Sequence, residues 1–233
     1  MRTAPLILKD WFATFDTAFT VTTVTVLTST SFLLALPCFT QNTYPFVGMS
    51  VTVKHGSATY TYSVTAISSC GMTISGNIYV PVIADIFKQV LPTFIHGTQK
   101  KAKLELDAMI RKGSITYPLV YLQEIQSEKY VNDPSIAIMM YSQVRMWFLL
   151  PSDKAWITDQ HYDNIIESMK SLAHEVMKQL AYDTVILDLT EYELVLHANI
   201  GSTSDTGHLK DLLNTQHSGV LLYSNFPFIK QGC

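Results

Sequence analysis

The chain has 233 residues and a formal net charge of −3, and 48% of its residues are hydrophobic while only 15% are charged. This size and apolar content predict a globular protein of one large or two small domains, with little of its surface covered by ionised groups. So small a net charge does not attract nucleic acid or an anionic membrane, and neither is expected as a bound partner.

The three cysteines and seven histidines show no metal-binding or disulfide pattern. Cys38, Cys70 and Cys233 are an odd number without a CxxC pair, so reduced thiols are expected. The histidines lack the spacing of metal ligands, and His174 is expected on a solvated helix face. The sequence therefore predicts no metal and no cofactor.

The N-terminal region resembles neither a secretory signal nor a membrane span. Lys9 and Asp10 interrupt the early apolar run, and residues 21–39 contain five threonines and two serines. Residues 1–16 fit either a short helix or an extended arm. The protein is expected to stay in the compartment where it is made.

Residues 17–84 have the composition of β-structure. Lys54 is their one formally charged side chain, while Thr, Ser, Val and Tyr dominate. Alternating runs over 46–53 and 58–67 flank a glycine-containing turn, which predicts a hairpin. Short, evenly spaced strands predict a small β-barrel, so the first domain is placed at residues 1–79, arm included.

The scarcity of charge in this barrel indicates that its exterior contacts other protein. Strand edges are usually protected by lysines, and an assembly would protect edges that lack them. The alternative is a barrel kept soluble by its Thr and Ser side chains alone.

Residues 80–233 are predicted to form an α+β domain around one long helix. Over about 159–182 the apolar residues recur at three- and four-residue steps, which places them on one face, and the polar residues opposite, including Glu175, are expected in solvent. A long strand over 135–150 precedes the helix, and its face with Val144, Met146 and Phe148 is expected beneath it. The apolar helix positions are Ile165, Ile166, Met169, Leu172, Ala173, Val176, Met177 and Leu180.

Shorter elements fill the rest of this domain. A helix over 80–91 joins the two domains, residues 94–98 form a loop, and 99–112 form a solvated helix whose mixed charges disfavour phosphate binding. The remaining predictions are a strand over 117–122, a polar connection over 123–134, a strand over 184–200 with a bend near Glu191, a helical turn over 208–214 and a strand over 219–228.

No motif of a known catalytic class occurs in the sequence. The GxSxG, Walker, HExxH, GxGxxG and kinase patterns are missing, and no enzymatic activity is expected. Two acidic pairs, Glu191 with Glu193 and Asp183 with Asp188, have the residue types of an acid–base pair but lack a partner base or metal ligand.

Four segments carry a resemblance to a known family: FIHGT at 94–98, YPLVYL at 117–122, SQVRMWFL at 142–149 and the helix over 162–180. In this order they resemble neck or tail-completion proteins of tailed bacteriophages, above all those of Bacteroidetes phages, including the crAss-like group. The resemblance covers roughly the last 140 residues. The barrel departs from the shorter members of the family.

This resemblance implies an α+β, tail-completion-like fold and a virion structural protein. Such proteins form rings of six or twelve copies between portal and tail, in contact with neighbouring neck, portal or tail proteins, and genomic DNA passes through without specific binding. The implied location is the virion neck or tail, after synthesis in the host cytoplasm. Candidate subunit-interface residues are Val51, Val53, Thr59, Thr61, Tyr141, Arg145 and Trp147.

Two other function classes remain open from the sequence. The barrel fits a carbohydrate- or host-binding module, and the Glu191 and Glu193 region fits a small hydrolase. The size of the purified protein distinguishes a ring from both.

Overall fold

The structure is a computed structural model in which the chain forms two compact units. Asp16–Leu91 is the all-β unit, and Met1–Phe15 with Pro92–Cys233 is the α+β unit. The described residues are 4–37, 44–68, 70–123, 128–133, 137–153, 155–156, 158–182, 191–200, 209, 212–213 and 216–229. The mixed helix and strand content confirms the α+β class. Compared with the predicted division at residue 79, the N-terminal arm lies with the second unit and residues 80–91 with the first.

The all-β unit is a curled, seven-stranded antiparallel sheet. The strand order is β1-β7-β4-β5-β6-β3-β2, and β1 and β2 at its two ends are not paired with each other. The predicted hairpin is β4 with β5. The strands are β1 (Ala18–Phe19), β2 (Thr23–Thr28), β3 (Ser31–Ala35), β4 (Ser50–His55), β5 (Ala58–Ser68), β6 (Gly71–Ser75) and β7 (Ile86–Gln89).

Alternation along these strands builds the core of the all-β unit. In β4 the side chains of Val51 and Val53 are buried, and in β5 those of Tyr62 and Val64 are buried, while the residues between them face outward. Phe87 of β7 continues the same inner face. The outward positions are mostly Thr and Ser, as the composition predicts.

The predicted helix over 80–91 is wrong, because this segment ends in strand β7. Phe87 and Gln89 point inward while Ile86 and Lys88 point outward, which is the period of a strand. The Gln89 side chain accepts a hydrogen bond from the Tyr44 backbone N–H at 2.8 Å. Helical spacing of the apolar residues was therefore a coincidence in a stretch rich in β-branched residues.

The α+β unit contains a six-stranded sheet in the order β12-β13-β11-β9-β8, with β10 also paired to β11. All pairings are antiparallel except β8 with β9. Its elements are α1 (Ala4–Ala13), β8 (Thr93–Gly97), α2 (Gln99–Arg111), β9 (Leu119–Gln123), β10 (Glu128–Asp133), β11 (Ala137–Pro151), α3 (Thr158–His161), a π-helical turn (Tyr162–Ile166), α4 (Glu167–Ala181), β12 (Tyr192–Ile200) and β13 (His217–Ile229).

The long helix packs on the sheet through the predicted face. All eight of its predicted apolar residues are at most 3% exposed. His161 shares a 2.8 Å hydrogen bond with Ser218, the register partner of Leu150, so the helix covers the face that carries Val144, Met146 and Phe148. The solvated position predicted for Glu175 is wrong, since its carboxylate is buried and accepts from Gln179 at 2.8 Å. His174 is exposed as predicted.

The opposite face of this sheet is also covered. Trp147 and Leu149 lie in a buried cluster with Ala102 and Leu106 of α2 and with three leucines of the 209–213 region. The predicted loop over 94–98 is wrong, because it is strand β8, and the predicted connection over 123–134 contains strand β10. Residues 184–190, within the predicted strand over 184–200, lie outside the described residues.

The state of one cysteine differs from the prediction. Cys70 is disulfide-bonded, so the predicted reduced thiols are wrong for this residue, and both other cysteines lie outside the described residues.

Within the part of the chain that the structure describes, every helix is too short or too polar to traverse a bilayer.

Candidate functional site

A run of exposed apolar side chains marks one surface of the all-β unit. Between β6 and β7 the chain alternates, with Pro81 and Asp85 buried while the aliphatic residues beside them face solvent. Ile78 is 81% exposed and Ile83 is 58% exposed. The apolar segment is defined here as residues 78–86, and its exposed members are Ile78, Val80, Val82, Ile83 and Ile86.

The apolar segment is held in place by the carboxylate of Asp85. Its Oδ2 accepts hydrogen bonds from the Val82 backbone N–H at 2.8 Å and from the Tyr79 hydroxyl at 3.0 Å. Its Oδ1 lies 2.7 Å from Nδ1 of His55, which ends strand β4. Asp85 is only 8% exposed, and both oxygens of its carboxylate are engaged, one by His55 of β4 and the other by two groups of the apolar segment.

Three tyrosines complete this anchor. The rings of Tyr60 and Tyr79 stack at 4.1 Å between centroids with an interplanar angle of 4°. The Tyr62 hydroxyl donates to the Tyr79 carbonyl at 2.6 Å, and Asn77 Oδ1 accepts from the Tyr79 backbone N–H at 3.1 Å. The segment is therefore fixed to the inner side of β4 and β5, and its aliphatic side chains are presented from a rigid support.

The protonation equilibria of the anchor reflect these contacts. Burial raises the pKa of Asp85, but the hydrogen bonds from Val82, His55 and Tyr79 outweigh it, so the net pKa lies below the ordinary value. Burial, followed by the hydrogen bond to Asp85, raises the pKa of Tyr79 to about 12. Burial and the nearby Tyr79 and Asp85 raise the pKa of Tyr62 to about 12.

The Asp85–His55 pair has the geometry of a carboxylate that orients an imidazole, as in hydrolases. A nucleophile is also required for that chemistry, and in the described residues no hydroxyl or thiol forms a hydrogen bond with His55. The carboxylate instead links His55, at the end of β4, to Tyr79 and the Val82 backbone N–H in the apolar segment. The arrangement fits an anchor of the apolar segment.

A second feature is an open cleft of 610 Å³ in the α+β unit. Register pairing places Arg145, Tyr223 and Glu193 side by side on β11, β13 and β12, so they project from the same face of the sheet. The Arg145 guanidinium lies 5.5 Å from the centre of the Tyr223 ring, as in a cation–π contact. The lining includes Gln143, Glu191, Tyr192, Glu193, Tyr223 and Asn225.

The residues proposed as an interface from sequence are distributed over both units. In the all-β unit, Val51 and Val53 are fully buried core residues, whereas Thr59 and Thr61 are exposed on the outer side of β5. In the α+β unit, Trp147 is buried in the cluster with α2 and Arg145 is half-buried. The buried three offer no surface to another molecule, so Thr59, Thr61 and Arg145 are the interface candidates among the side chains that the structure describes. The Tyr141 side chain lies outside the described residues.

Of the two acidic pairs considered for catalysis, one lies in the part of the chain that the structure describes. Glu191 and Glu193 are exposed in the open cleft. Asp183 and Asp188 lie outside the described residues. Among the residues that the structure does describe, no group of three or more His, Cys, Asp or Glu side chains is arranged to hold a metal ion.

The sequence contained one signal for the Asp85 anchor. Asp85 is the first acidic residue after Asp16, and it follows an uninterrupted apolar run. A carboxylate in such a position is either solvated on a turn or buried with partners. Its partner His55 is 30 residues away, so no local spacing predicts their contact.

Comparison with known proteins gives no match. No protein-family model, curated protein or solved structure is similar to this chain.

Proposed function

We propose that the chain is a virion structural protein that forms a ring in the neck of a tailed bacteriophage, between portal and tail. The observation that supports an assembly role is the apolar segment, which exposes five aliphatic side chains on a rigid support. The phage neck is suggested by the sequence resemblance of residues 94–98, 117–122, 142–149 and 162–180.

The physical case for protein contact rests on the cost of leaving this segment in water. Exposed aliphatic side chains gain about 25 cal/mol for each Å² of surface that a partner covers. The Asp85 anchor removes much of the ordering entropy that a flexible loop would lose on binding. A rigid apolar surface is therefore suited to docking, whereas a solvated loop would carry polar residues.

Low charge in the all-β unit favours the same role. Thr59 and Thr61 project from β5 among other uncharged residues, and the nearest strands on one side carry single cations, Lys54 on the neighbouring β4 and Lys88 on β7 beyond it. Few ions need to be desolvated when such a surface is covered. Tight packing between copies is thereby favoured.

A conduit for DNA must let the polyanion pass without holding it. The net charge of −3 per chain makes a ring of six or twelve copies mildly acidic. Such a ring does not gain affinity by displacing counterions from phosphate. Passage without retention agrees with the proposed position in the neck.

The size of the purified protein tests this proposal. The chain, expressed alone and with the products of neighbouring genes, is examined by light scattering coupled to gel filtration and by negative-stain microscopy. Rings with a fixed number of copies are expected in at least one preparation. A protein that remains a monomer in both, and that binds glycans or hydrolyses a substrate, would favour one of the two alternative classes.

A further inference from the structure

The outer surface of helix α2 carries basic side chains and one exposed leucine. Its inner side, with Ala102 and Leu106, packs on the sheet, so residues 100, 104 and 111 lie on the other side. Leu104 is 65% exposed, and Lys100 and Arg111 are exposed one turn before it and two turns after it. These three residues are called the α2 stripe.

The charge of this helix is uneven. Residues 99–112 contain five basic side chains, at 100, 101, 103, 111 and 112, and two acidic ones, Glu105 and Asp107. In the described part of the chain neither Lys100 nor Arg111 takes part in an ion pair. The α2 stripe thus offers two unpaired cations on either side of an apolar side chain.

The cleft in the same unit has the complementary character. Glu193 lies on β12 and Glu191 directly precedes it, and within the described residues neither exposed carboxylate forms an ion pair. Beside Glu193 lies the ring of Tyr223, with the Arg145 guanidinium over one side of it, and Gln143 and Asn225 add amide groups. The Tyr192 ring is on the other face of the sheet, where its hydroxyl shares a hydrogen bond with His174 of α4. Tyrosine and arginine are enriched at protein interfaces, and carboxylates at the rim of a contact contribute to the choice of partner.

The α2 stripe cannot occupy the cleft of its own chain. Both features belong to one compact unit, and they lie on the same face of its sheet, where α2 packs against Trp147 and Leu149. The outer side of α2 therefore points away from the sheet that forms the cleft floor. A contact between stripe and cleft requires a second copy of the chain.

We infer that the α2 stripe of one copy docks in the cleft of the next, with Leu104 against Tyr223 and its flanking cations beside Glu191 and Glu193. Opposite charges favour this contact, and like charges disfavour a contact between two stripes or between two clefts. The two surfaces differ, so the contact is heterologous, and repeated contacts of this kind close into a ring or continue as a filament. This inference rests on the proposed ring and names one surface through which its copies meet.

Two variants with one blocked surface each test the contact. In the cleft variant, Glu191→Lys and Glu193→Lys place cations opposite the stripe. In the stripe variant, Lys100→Ser, Leu104→Ser and Arg111→Ser remove its charge and its apolar side chain without adding an anion. All five residues are exposed, so both variants are expected to keep the melting temperature of the native chain within a few degrees.

The expected result follows from the heterologous geometry. Each variant alone sediments as a monomer, because one of its two surfaces is blocked. An equimolar mixture forms a species of twice the 26.2 kDa chain mass and no larger one, since the intact stripe of one variant meets the intact cleft of the other. The double control Glu167→Lys with Lys170→Glu exchanges the charges of an ion pair on the polar side of α4, at one exposed and one half-buried position, and associates like the native chain.

Other outcomes overturn the inference. If both variants associate like the native chain, the copies meet elsewhere, and rings seen by microscopy would still support the proposed function. If the native chain and the mixture both remain monomeric at high concentration, the contact does not form. Absence of rings with partners present would, separately, count against the neck assignment.

Discussion

The Asp85 carboxylate lies 2.7 Å from Nδ1 of His55, and this pair joins the end of strand β4 to the segment that leads into β7. The same carboxylate accepts from Tyr79 and from the Val82 backbone. One buried charge thus fixes a loop whose outward side chains are almost all aliphatic. Polar anchoring beneath an apolar exterior is the reverse of a usual surface loop, in which the outward residues are polar.

Replacing Asp85 by asparagine is expected to destabilise the all-β unit. Asn retains one acceptor for the Val82 N–H, but it loses the charge that strengthens the bonds from His55 and Tyr79. The expected loss is about 1 to 3 kcal/mol in the free energy of unfolding at neutral pH. Urea denaturation followed by tyrosine fluorescence measures it, because the all-β unit contains tyrosines and no tryptophan.

A matched substitution and the pH dependence serve as controls. Asp153→Asn changes an exposed carboxylate that accepts from the Ala155 backbone N–H, and it is expected to shift stability by less than about 0.5 kcal/mol. Because folding lowers the Asp85 pKa, its contribution is complete above the ordinary value of 3.8 and is lost as the pH falls through the lower folded pKa. Equal stability of the native chain and Asp85→Asn at neutral pH would contradict the anchoring role.

Two tyrosines are expected to ionise late in an alkaline titration. The pKa values of Tyr62 and Tyr79 are raised to about 12, so both remain protonated at a pH near 11, where ordinary tyrosines are largely ionised. Because folding raises these two pKa values, the protonated tyrosines contribute fully to the stability of the fold below a pH of about 10. This contribution to stability is lost as the pH rises through about 12. Absorbance near 295 nm, a standard tyrosinate band, reports the ionised fraction.

The variant Tyr79→Phe identifies one of the two tyrosines that ionise near pH 12. It should reduce the absorbance change near pH 12 only, whereas Tyr182→Phe, at a position 83% exposed, should reduce the absorbance change near pH 10. A single transition for all tyrosines of the native chain would mean that the Asp85 cluster is open to solvent.

The local patterns of this sequence predict the long elements well. The helix stripe from Ile165 to Leu180 and the strand β11 are specified by their own periodicities, which extend over many residues. Strand β10, with the sequence EKYVND, has little strand propensity and depends on its pairing with β11. The pairing with β11 therefore determines the strand conformation of residues 128–133, which the local composition does not predict.

The candidate surfaces were harder to predict than the elements. Thr59 and Thr61 were correctly placed outside β5 because alternation fixes the face of a strand. Trp147 was proposed as an interface residue because only one face of β11 was expected to be covered. The covering of its other face by α2 and the 209–213 region depends on contacts between distant residues, which have no local signal.

The disulfide at Cys70 predicts the number of free thiols. A bond within the chain uses two of the three cysteines, so the unfolded but unreduced protein should react with one equivalent of a thiol reagent. After reduction it should react with three. Three equivalents before reduction, in protein purified without reductant, would show that the disulfide does not form.

Leu172→Ala is expected to destabilise the α+β unit strongly. The side chain is 0% exposed between α4 and the sheet, so its loss leaves a cavity. The expected change is about 2 to 5 kcal/mol. Leu104→Ala, at a 65% exposed position of α2, is the matched control and should change stability by less than about 0.5 kcal/mol. Similar effects of the two changes would mean that the helix face is misassigned.

Lysine substitutions on the all-β unit test its role in assembly. Ile83→Lys places a cation in the exposed apolar segment, and Thr59→Lys or Thr61→Lys places one on the outer side of β5. None of these residues is buried, so the melting temperature of the isolated chain should stay within a few degrees of the native value. Burial of an unpaired charge at an interface is costly, so Ile83→Lys should abolish ring formation, and at least one threonine variant should impair it.

Tyr182→Lys provides the comparison for these variants, because it adds the same charge at an 83% exposed site of the α+β unit. It is expected to assemble like the native chain, which excludes a general effect of added charge. Ring yield is counted by negative-stain microscopy under the conditions in which the native chain assembles. Normal assembly of Ile83→Lys together with both threonine variants would show that this surface is only solvated, and that its low charge has a cause other than contact between subunits.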